Sequence, residues 1–249
     1  MSGKLNKTVV DGLLTEYLEL GRGPVLLLLH GWGQSAAGLL PLATPLAKSY
    51  KVIVPSLPGF GGSSEPKQAW GTEEYAEFVE KFVEKTGVEP VAVMGHSFGG
   101  RVMVRMFAGK KIVEKLVFID SAGVRRAKTL RGVLVGVLKW PFKVLPQGSG
   151  LRKWAVTRFG SRDYRNATPM MREVLKRTVA EDLSKMIPEI TARTLIIWGE
   201  KDEETPLKDT KIWRKIPKSR LEVVAGAGHF PFVDNPVEVY TLVERFLRT

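Results

Sequence analysis

Short apolar runs recur along the chain and alternate with longer stretches of helical periodicity. Runs in which nearly every residue is apolar are typical of strands that are buried on both faces. Five such runs are Val25–Leu29, Val52–Val54, Val91–Met94, Leu116–Ile119 and Leu195–Trp198. Buried strands that alternate with helices form mainly parallel sheets covered by helices on both faces. The pattern therefore predicts an α/β fold.

Two kinds of local pattern add to this sheet. Thr8–Leu20 contains two apolar segments around Asp11–Gly12, a residue pair typical of two-residue hairpin turns, which predicts an antiparallel hairpin. Thr72–Thr86 carries apolar residues at helical spacing and is followed by a glycine. The stretch from Pro236 to the end repeats that spacing. We expect both helices to pack one face on the sheet.

One apolar run leads directly into a serine between glycines. The segment Gly95–Gly99 has the pattern Gly-x-Ser-x-Gly, with a predicted strand before it and residues of helical type after it. This layout is typical of a nucleophile elbow, a sharp strand-to-helix turn that exposes the serine hydroxyl and aims the amide groups of the next helix at it. Ser97 is therefore the candidate nucleophile.

A serine hydroxyl is a poor nucleophile until a base removes its proton, and the chain has three histidines. His96 lies inside the predicted elbow, and His30 ends an apolar run in the segment His30–Gly33. His229 follows a predicted strand in a loop of small residues that can carry its imidazole to the serine. We predict that His229 is the base.

The base in turn needs a carboxylate that fixes its tautomer and stabilises the imidazolium ion. Asp202 comes shortly after a buried run and is the predicted acid. Asp120 ends the preceding buried run and is the competing candidate, since it also emerges at the carboxyl edge of the sheet. Glu203 and Glu204 are interpreted as solvated loop charges.

Acyl transfer also needs N–H donors for the negative oxygen of the tetrahedral intermediate. Backbone amides supply such donors without a side-chain signature. The predicted donors are the N–H of Phe98, next to the nucleophile, and the N–H of Trp32, in the loop after the third strand. His30 and Gly31 then shape that loop and take no part in the chemistry.

Together these segments resemble the α/β-hydrolase family, and specifically its small capped, serine esterase-like members. The resemblance rests on the chain order serine, acid, histidine and on five motifs: His30–Gly33, Pro55–Ser64, Gly95–Gly99, Trp198–Asp202 and Gly226–His229. It implies a mostly parallel central sheet flanked by helices, with an α-helical cap inserted after the sixth strand. Family members that open epoxides or displace halide use aspartate as the nucleophile, which the serine argues against.

One motif departs from the family pattern. Family members usually carry aspartate at the position of Ser56, so the resemblance predicts that the Pro55–Ser64 loop lacks a stabilising carboxylate. This departure puts the rigidity of the loop in doubt and leaves the catalytic residues unaffected.

The positive charge of the chain is concentrated in one segment. The net charge is +12, and sixteen Lys and Arg against five Asp and Glu lie between Gly123 and Arg193. This segment interrupts the alternation of strands and helices, and its helical patterning predicts a cap over the active-site edge. The predicted domains are a core of residues 1–122 and 191–249 and a cap of residues 123–190.

Within the predicted cap, Leu130–Leu145 combines apolar bulk with flanking cations. The segment is interpreted as a helix whose apolar side closes the substrate pocket. Alternatives are a lid that contacts anionic membrane, where each cation adds about 1 kcal/mol, or attraction of an anionic substrate. No nucleic acid is expected as a partner, because the basic residues are not arranged with an aromatic stacking platform.

Aromatic and methionine residues of the cap and of the core loops predict an apolar acyl pocket. The candidate pocket residues are Trp140, Phe142, Met170 and Phe230. Such a pocket favours uncharged esters of small to medium acyl chains.

Composition excludes several other chemistries. The chain has no cysteine, and therefore no disulfide, thiolate nucleophile or thiolate metal site, and three histidines leave little to bind zinc. No apolar segment approaches the ~20 residues of a membrane span, and the start of the chain lacks an apolar signal region. We expect a cytoplasmic protein without a cofactor or metal.

The sequence thus predicts a carboxylic ester hydrolase that acts through Ser97, His229 and Asp202 and an acyl-enzyme intermediate. The same residues also suit hydrolysis of a carbon–carbon bond, acyl transfer or peracid formation, and a non-catalytic ligand-binding protein is a further alternative. A dinucleotide-dependent oxidoreductase is a poor match, because Ser64 replaces the last glycine in Gly59–Ser64.

Overall fold

An eight-stranded sheet forms the centre of the structure. The structure is a computed structural model, and it describes residues 3–110, 113–125 and 162–249. Its strands are β1 (Lys4–Val10), β2 (Leu13–Leu20), β3 (Val25–Leu29), β4 (Lys51–Pro55), β5 (Pro90–His96), β6 (Lys115–Ile119), β7 (Arg193–Gly199) and β8 (Ser219–Val224). They lie in the order β1-β2-β4-β3-β5-β6-β7-β8. β2 pairs antiparallel with β1 and β4, and the other pairs are parallel, which confirms the predicted mainly parallel sheet.

Helices cover both faces of this sheet, as predicted. The described helices are α1 (Leu40–Leu46), α2 (Thr72–Thr86), α3 (Phe98–Phe107), α4 (Arg162–Asn166), α5 (Pro169–Ala180), α6 (Thr210–Trp213), α7 (Pro231–Asp234) and α8 (Pro236–Arg248). Short 3₁₀ turns lie at Ala36–Leu39, Ile187–Glu189 and Leu207–Asp209. Buried side chains of α2 and α3 pack on one face of the sheet, and those of α1 and α8 pack on the other.

Burial on both faces explains the uninterrupted apolar runs. In β3, Leu27 and Leu29 point into the core beneath α2 and α3, while Leu26 and Leu28 point into the core beneath α1 and α8. All four side chains are fully buried. A polar residue at any of these positions would lose its water without gaining a partner, so the strand cannot alternate between polar and apolar residues.

The turns follow the local sequence signals. Asp11 and Gly12 have φ angles of 50° and 75°, the left-handed pair that a two-residue hairpin turn needs. The helix Thr72–Thr86 ends at Gly87, which has a φ of 63° and therefore closes the helix in the left-handed conformation. The predicted hairpin and helix are both present.

The loop after β4 does have a carboxylate, so the expectation of its absence was wrong. Glu16, on β2, accepts hydrogen bonds from the N–H of Gly62 at 3.1 Å and from the hydroxyl of Ser56 at 3.4 Å. The backbone N–H of Glu16 also donates to the hydroxyl of Ser63 at 2.9 Å. Pairing of β2 with β4 brings Glu16 to this loop, which is a long-range contact that the local motif does not reveal.

The described part of the segment between β6 and β7 packs on the core. Arg101, on α3, donates from Nη1 to the carbonyl oxygens of Thr178 at 2.8 Å and Glu181 at 3.3 Å, next to the end of α5. The side chain of Glu181 accepts a hydrogen bond from the N–H of Thr72, at the start of α2, at 3.0 Å. Helix α5 is therefore attached to both α2 and α3.

Much of the predicted cap lies outside the described residues, including Leu130–Leu145 with Trp140 and Phe142. The domain limits, the contact with anionic membrane and the cytoplasmic location stay predictions. Within residues 3–110, 113–125 and 162–249, none of the helices has the length and the apolar character needed to traverse a bilayer.

Candidate active site

Three chemically able side chains meet at the carboxyl edge of the parallel strands. Ser97 follows β5, Asp202 follows β7 and His229 follows β8. Parallel strands end at the same edge of a sheet, so the loops after them come together there although the residues are far apart in sequence. The strand order β5-β6-β7-β8 leaves the end of β6, with Asp120, between Ser97 and Asp202.

Ser97 has the strained backbone expected at an elbow, with a φ of 49°. Its N–H donates to the carbonyl oxygen of Ile119, on β6, at 3.0 Å, which holds the turn in place. Glycines are needed around it: a Cβ on Gly95 would lie 2.7 Å from the backbone of Gly99, and a Cβ on Gly99 would collide with the carbonyl of Leu29. The structure therefore has the sharp turn that the Gly-x-Ser-x-Gly pattern predicts.

The three predicted residues form a continuous line of hydrogen bonds. His229 Nε2 lies 3.0 Å from Ser97 Oγ, and His229 Nδ1 lies 2.8 Å from Asp202 Oδ2. Since a carboxylate can only accept, a neutral His229 has its proton on Nδ1, and Nε2 accepts from the serine hydroxyl. The arrangement can take a proton from Ser97 and stabilise the resulting imidazolium beside Asp202.

The carboxylate of Asp202 is well supplied with donors. Oδ1 accepts from the backbone N–H of Glu204 at 2.8 Å and of Thr205 at 2.9 Å, and Oδ2 accepts from the Thr205 hydroxyl at 2.5 Å. Although burial raises it, hydrogen bonds from His229 and Thr205 hold the pKa of the Asp202 carboxyl well below its usual range. Asp202 is therefore the ionised acid next to the imidazole.

Asp120, the competing acid, lies beside this line and makes no hydrogen bond to His229 within the described residues. Its Oδ1 accepts from the N–H of Gly199 at 2.9 Å, and its Oδ2 is buried without a hydrogen-bond partner. Burial, and then the proximity of Asp202, raise the pKa of the Asp120 carboxyl to about 9. Asp202, and not Asp120, is therefore the acid that contacts the imidazole.

Asp120, Asp202 and His229 also form a group of the metal-ligand type, with one ligand atom of each lying within 4.8 Å of the others. His229 directs Nδ1 at Asp202 and Nε2 at Ser97, so both ring nitrogens are already used. A metal would have to displace one of these hydrogen bonds. The donor set fits proton sharing better than metal coordination.

The other two histidines hold loops in place. His96 donates from Nε2 to the carbonyl oxygen of His229 at 2.8 Å, and burial lowers the pKa of His96 to about 3. His30 accepts at Nε2 from the N–H of Leu57 at 2.9 Å and donates from Nδ1 to the carbonyl oxygen of Gly31 at 2.8 Å. Burial lowers the pKa of His30 to about 4, so both rings are neutral. The contact of His96 with the His229 loop had no signal in the sequence.

The two predicted oxyanion donors lie together at the cavity. Trp32 and Phe98 both line it, and their rings pack edge to face with centroids 5.4 Å apart. Phe98 is the first residue of α3, where backbone N–H groups have no partner within the helix. Neither N–H donates a hydrogen bond within the part of the chain that the structure describes. Their role in binding an oxyanion stays a prediction.

The cavity at this edge has a volume of ≈ 230 Å³ and is lined by Ser97 and His229 together with residues of α3 and α5. Met170 and Phe230, two of the four predicted pocket residues, are not among its described lining. The Phe230 ring packs edge to face against the His229 ring, with centroids 5.3 Å apart, and Phe230 is partly exposed. The sequence could not separate these positions, because both are apolar residues next to the predicted site.

Four charged residues that line the cavity were not predicted to lie there: Arg101, Asp163, Glu204 and Asp209. Arg101 lines the cavity and is only 7 % exposed, and this burial lowers the pKa of its guanidinium. Glu204 Oε2 lies 3.4 Å from His229 Nε2, although the side chain is 66 % exposed. Glu204 is therefore a solvated loop charge, as interpreted, that also contacts the imidazole. In the sequence, Arg101 could have been placed at the site because it lies one helical turn after Ser97, and Glu204 because it lies two residues after Asp202.

Known proteins share both the sequence and the fold. The pattern of the "Alpha/beta hydrolase family" matches residues 26–242. Lipase 1 of Psychrobacter immobilis is 28% identical in an alignment that covers 91% of this chain and 78% of the lipase. An uncharacterised protein of Mycobacterium tuberculosis is 26% identical in an alignment that covers 96% of this chain and 80% of that protein. The crystal structure of a membrane phospholipase A, described as a bacterial virulence factor, is 27% identical with a TM-score of 0.78, and the match covers 99% of this chain and 86% of the other.

Proposed function

The chain belongs to the alpha/beta hydrolase family, and from this premise we propose that it is a carboxylic ester hydrolase that uses Ser97, His229 and Asp202. The observation that carries the proposal is the line of hydrogen bonds from Asp202 through His229 to Ser97, with lengths of 2.8 and 3.0 Å. The likeness to a lipase over 91% of the chain supports an ester as the substrate.

In the proposed first step, Ser97 Oγ attacks the ester carbonyl carbon and His229 Nε2 takes the hydroxyl proton. The carbonyl oxygen becomes an oxyanion, which the N–H groups of Trp32 and Phe98 bind. Asp202 stabilises the imidazolium. The carbon–oxygen bond to the alcohol then breaks, His229 gives its proton to the leaving oxygen, and the acyl group stays on Ser97.

The second step repeats the first with water as the nucleophile. His229 removes a proton from the water, which attacks the acyl carbon, and the same N–H groups of Trp32 and Phe98 bind the new oxyanion. The bond to Ser97 Oγ breaks, and the serine regains its proton from His229. The products are a carboxylic acid and an alcohol, and the cycle needs no added cofactor.

We propose small to medium, largely apolar acyl groups as substrates. The cavity of ≈ 230 Å³ supports this range, because it is below the roughly 300–1,000 Å³ of pockets that take drug-sized ligands. Trp140 and Phe142, which lie outside the described residues, stay the proposed apolar contacts of the acyl chain, whereas Met170 and Phe230 do not line the described cavity.

A panel of 4-nitrophenyl esters of increasing acyl length, hydrolysed by the wild type and by Ser97→Ala, tests the proposal. We expect Ser97→Ala to lose about 10⁴-fold or more in kcat, since removal of the nucleophile leaves only binding and the oxyanion donors. Ser49→Ala, a change of an exposed serine that does not line the cavity, is the control and should keep full activity.

A second readout tests the nucleophile directly. A reactive organophosphonate should label the wild type once, on Ser97, and leave Ser97→Ala unlabelled. Undiminished ester hydrolysis by Ser97→Ala would contradict the mechanism. Labelling of Ser97 without turnover of any ester would instead favour a carbon–carbon bond hydrolase or a ligand-binding protein, and product formation with added alcohol would favour an acyltransferase.

A further inference from the structure

Asp120 is a fully buried acid that the proposed reaction does not use. It follows β6 directly and has a left-handed backbone, with a φ of 41°. This turn lets the chain pass under the nucleophile, where the N–H of Ala122 donates to the carbonyl oxygen of Ser97 at 3.1 Å. Aspartate tolerates this conformation better than most residues, but a polar acid in a water-free place still has a cost.

The surroundings of Asp120 are poor in donors and contain a second buried acid. Gly199, at the end of β7, supplies one N–H to Oδ1, and Oδ2 has no hydrogen-bond partner among the described residues. The titratable groups around Asp120 are Asp202 after β7, His229 after β8 and Asp234 of α7. Asp234 is exposed, but Asp202 is buried, so an ionised Asp120 would face one like charge with little water to screen it.

We propose that Asp120 keeps its proton and donates it from Oδ2 to the Asp202 carboxylate, and that Asp120 is therefore a positioning residue for the acid of the active site. The orphaned Oδ2 then gains a partner, and Asp202 gains one more donor. Burial raises the pKa of the Asp120 carboxyl to about 9, in agreement with this geometry.

The arrangement adds a donor to those that Thr205 already supplies to Asp202. Thr205 donates its N–H to Oδ1 and its hydroxyl to Oδ2 of Asp202, while the neutral Asp120 adds a donor from the neighbouring strand. A carboxylate held from several sides keeps its orientation toward His229 Nδ1. The effect on catalysis rests on the proposed function, whereas the proton on Asp120 does not.

The proton is tested by thermal unfolding as a function of pH, which needs no substrate. Between the ordinary pKa of about 3.9 in the unfolded chain and about 9 in the folded chain, only the folded state binds the proton. Folding stability contributed by Asp120 therefore falls as pH rises through this window. In Asp120→Asn nothing titrates at this position, so the loss is absent.

We expect the melting temperature of Asp120→Asn, relative to the wild type, to rise by about 5 °C or more between pH 5 and pH 9. Asp182→Asn is the matched control, because Asp182 is exposed at the surface. Partial desolvation raises the pKa of its carboxyl, but hydrogen bonds donated by Ser184 and Arg125 lower it below its usual range. Asp182 is therefore ionised over the whole range, and its variant should differ from the wild type by a constant amount. A constant difference for Asp120→Asn would overturn the proposal.

The positioning role is tested by ester hydrolysis at pH 7.5. Asparagine keeps an oxygen for the N–H of Gly199 and an N–H for Asp202, so Asp120→Asn should stay within about 3-fold of the wild-type kcat. Asp120→Leu fills the space without a donor and should lose about 10-fold or more in kcat with little change in KM.

Equal losses for Asp120→Asn and Asp120→Leu would overturn the positioning role, because they would indicate that the charge of Asp120 is needed. If Asp120→Leu does not fold, the pH dependence of melting and the activity of Asp120→Asn still decide the question. Absence of esterase activity in the wild type would count against the proposed function alone, since the melting experiment does not depend on a substrate.

Discussion

Asp120 and Asp202 lie at the ends of neighbouring strands, β6 and β7, and both are buried, with exposed fractions of 0% and 4%. Among the described residues, the Asp202 carboxylate accepts hydrogen bonds from two backbone N–H groups, one hydroxyl and one imidazole, whereas the Asp120 carboxyl accepts one, from Gly199. The pKa of Asp202 is accordingly lowered by its donors, and that of Asp120 is raised by burial to about 9. Burial alone therefore does not decide the charge of an acid; the number of donors that fold around it does.

The difference arises from the loops that follow the two strands. After β7 the chain turns back on itself, so that the N–H groups of Glu204 and Thr205 point at the side chain of Asp202. After β6 the chain turns under Ser97 at once, and the side chain of Asp120 faces the end of β7. The loop after β7 therefore donates its own N–H groups to Asp202, whereas the Asp120 side chain receives its N–H from Gly199 on the neighbouring strand β7.

The largest effect is expected from Asp202→Asn. The asparagine side chain presents an amide group to His229 Nδ1 and cannot stabilise an imidazolium, so kcat/KM should fall by about 10⁴-fold. Ester hydrolysis at pH 7.5 measures it. A loss below about 10-fold would contradict the contrast between the two acids, because it would mean that Asp120 can ionise and stabilise the His229 imidazolium in place of Asp202.

A smaller loss is expected from Thr205→Val. The hydroxyl donates to Asp202 Oδ2 at 2.5 Å, and hydrogen bonds to charged groups contribute about 1.5–3 kcal/mol, so kcat should fall about 10-fold or more while KM changes little. Thr210→Val is the control, since that hydroxyl donates only to a carbonyl of the preceding turn, that of Leu207. Unchanged kcat in Thr205→Val would show that the backbone donors alone hold Asp202.

The two acids should also give opposite pH dependences of stability. The pKa of Asp202 is lower in the folded chain than the roughly 3.9 of the unfolded chain, so its contribution is complete above about pH 4 and is lost as pH falls through the folded value. The melting temperatures of the wild type and Asp202→Asn should therefore converge by a few degrees between pH 5 and pH 2. Parallel curves over this range would contradict the low pKa of Asp202.

The smallest effect is expected at a third acid, Glu204. Its carboxylate lies 3.4 Å from His229 Nε2 but is 66 % exposed, so water and salt screen it strongly. Glu204→Gln should therefore change kcat/KM for ester hydrolysis at pH 7.5 by less than about 2-fold, and any change should vanish in high salt. The control Glu203→Gln should leave kcat/KM unchanged. A loss of 10-fold or more in Glu204→Gln would show that Glu204 takes part in the reaction.

Elements whose cause is local could be predicted from the sequence. The buried runs, the hairpin turn at Asp11–Gly12 and the helix Thr72–Thr86 all occur where the pattern indicated, since each depends on residues close in sequence. The meeting of Ser97, Asp202 and His229 could also be predicted, because each follows a strand and parallel strands end at one edge.

Features that depend on pairing between distant segments could not be predicted. Glu16 supplies the carboxylate that Ser56 lacks only because β2 pairs with β4. The pocket residues were named from apolar character, and Phe230 lies beside His229 instead of in the described cavity lining. Apolar side chains are common in every part of a core, so their type does not indicate which way they face.

By itself the sequence determined which residues can do chemistry and the strand ends on which they lie, because short-range periodicity and turn residues specify strands and turns. The tertiary structure alone decided the protonation state of each acid. Asp120 and Asp202 are the same residue type after the same kind of strand, and they differ in the donors that distant parts of the chain bring to them. A charge in a water-free site depends on every neighbour within a few ångströms, and most of those neighbours are remote in the sequence.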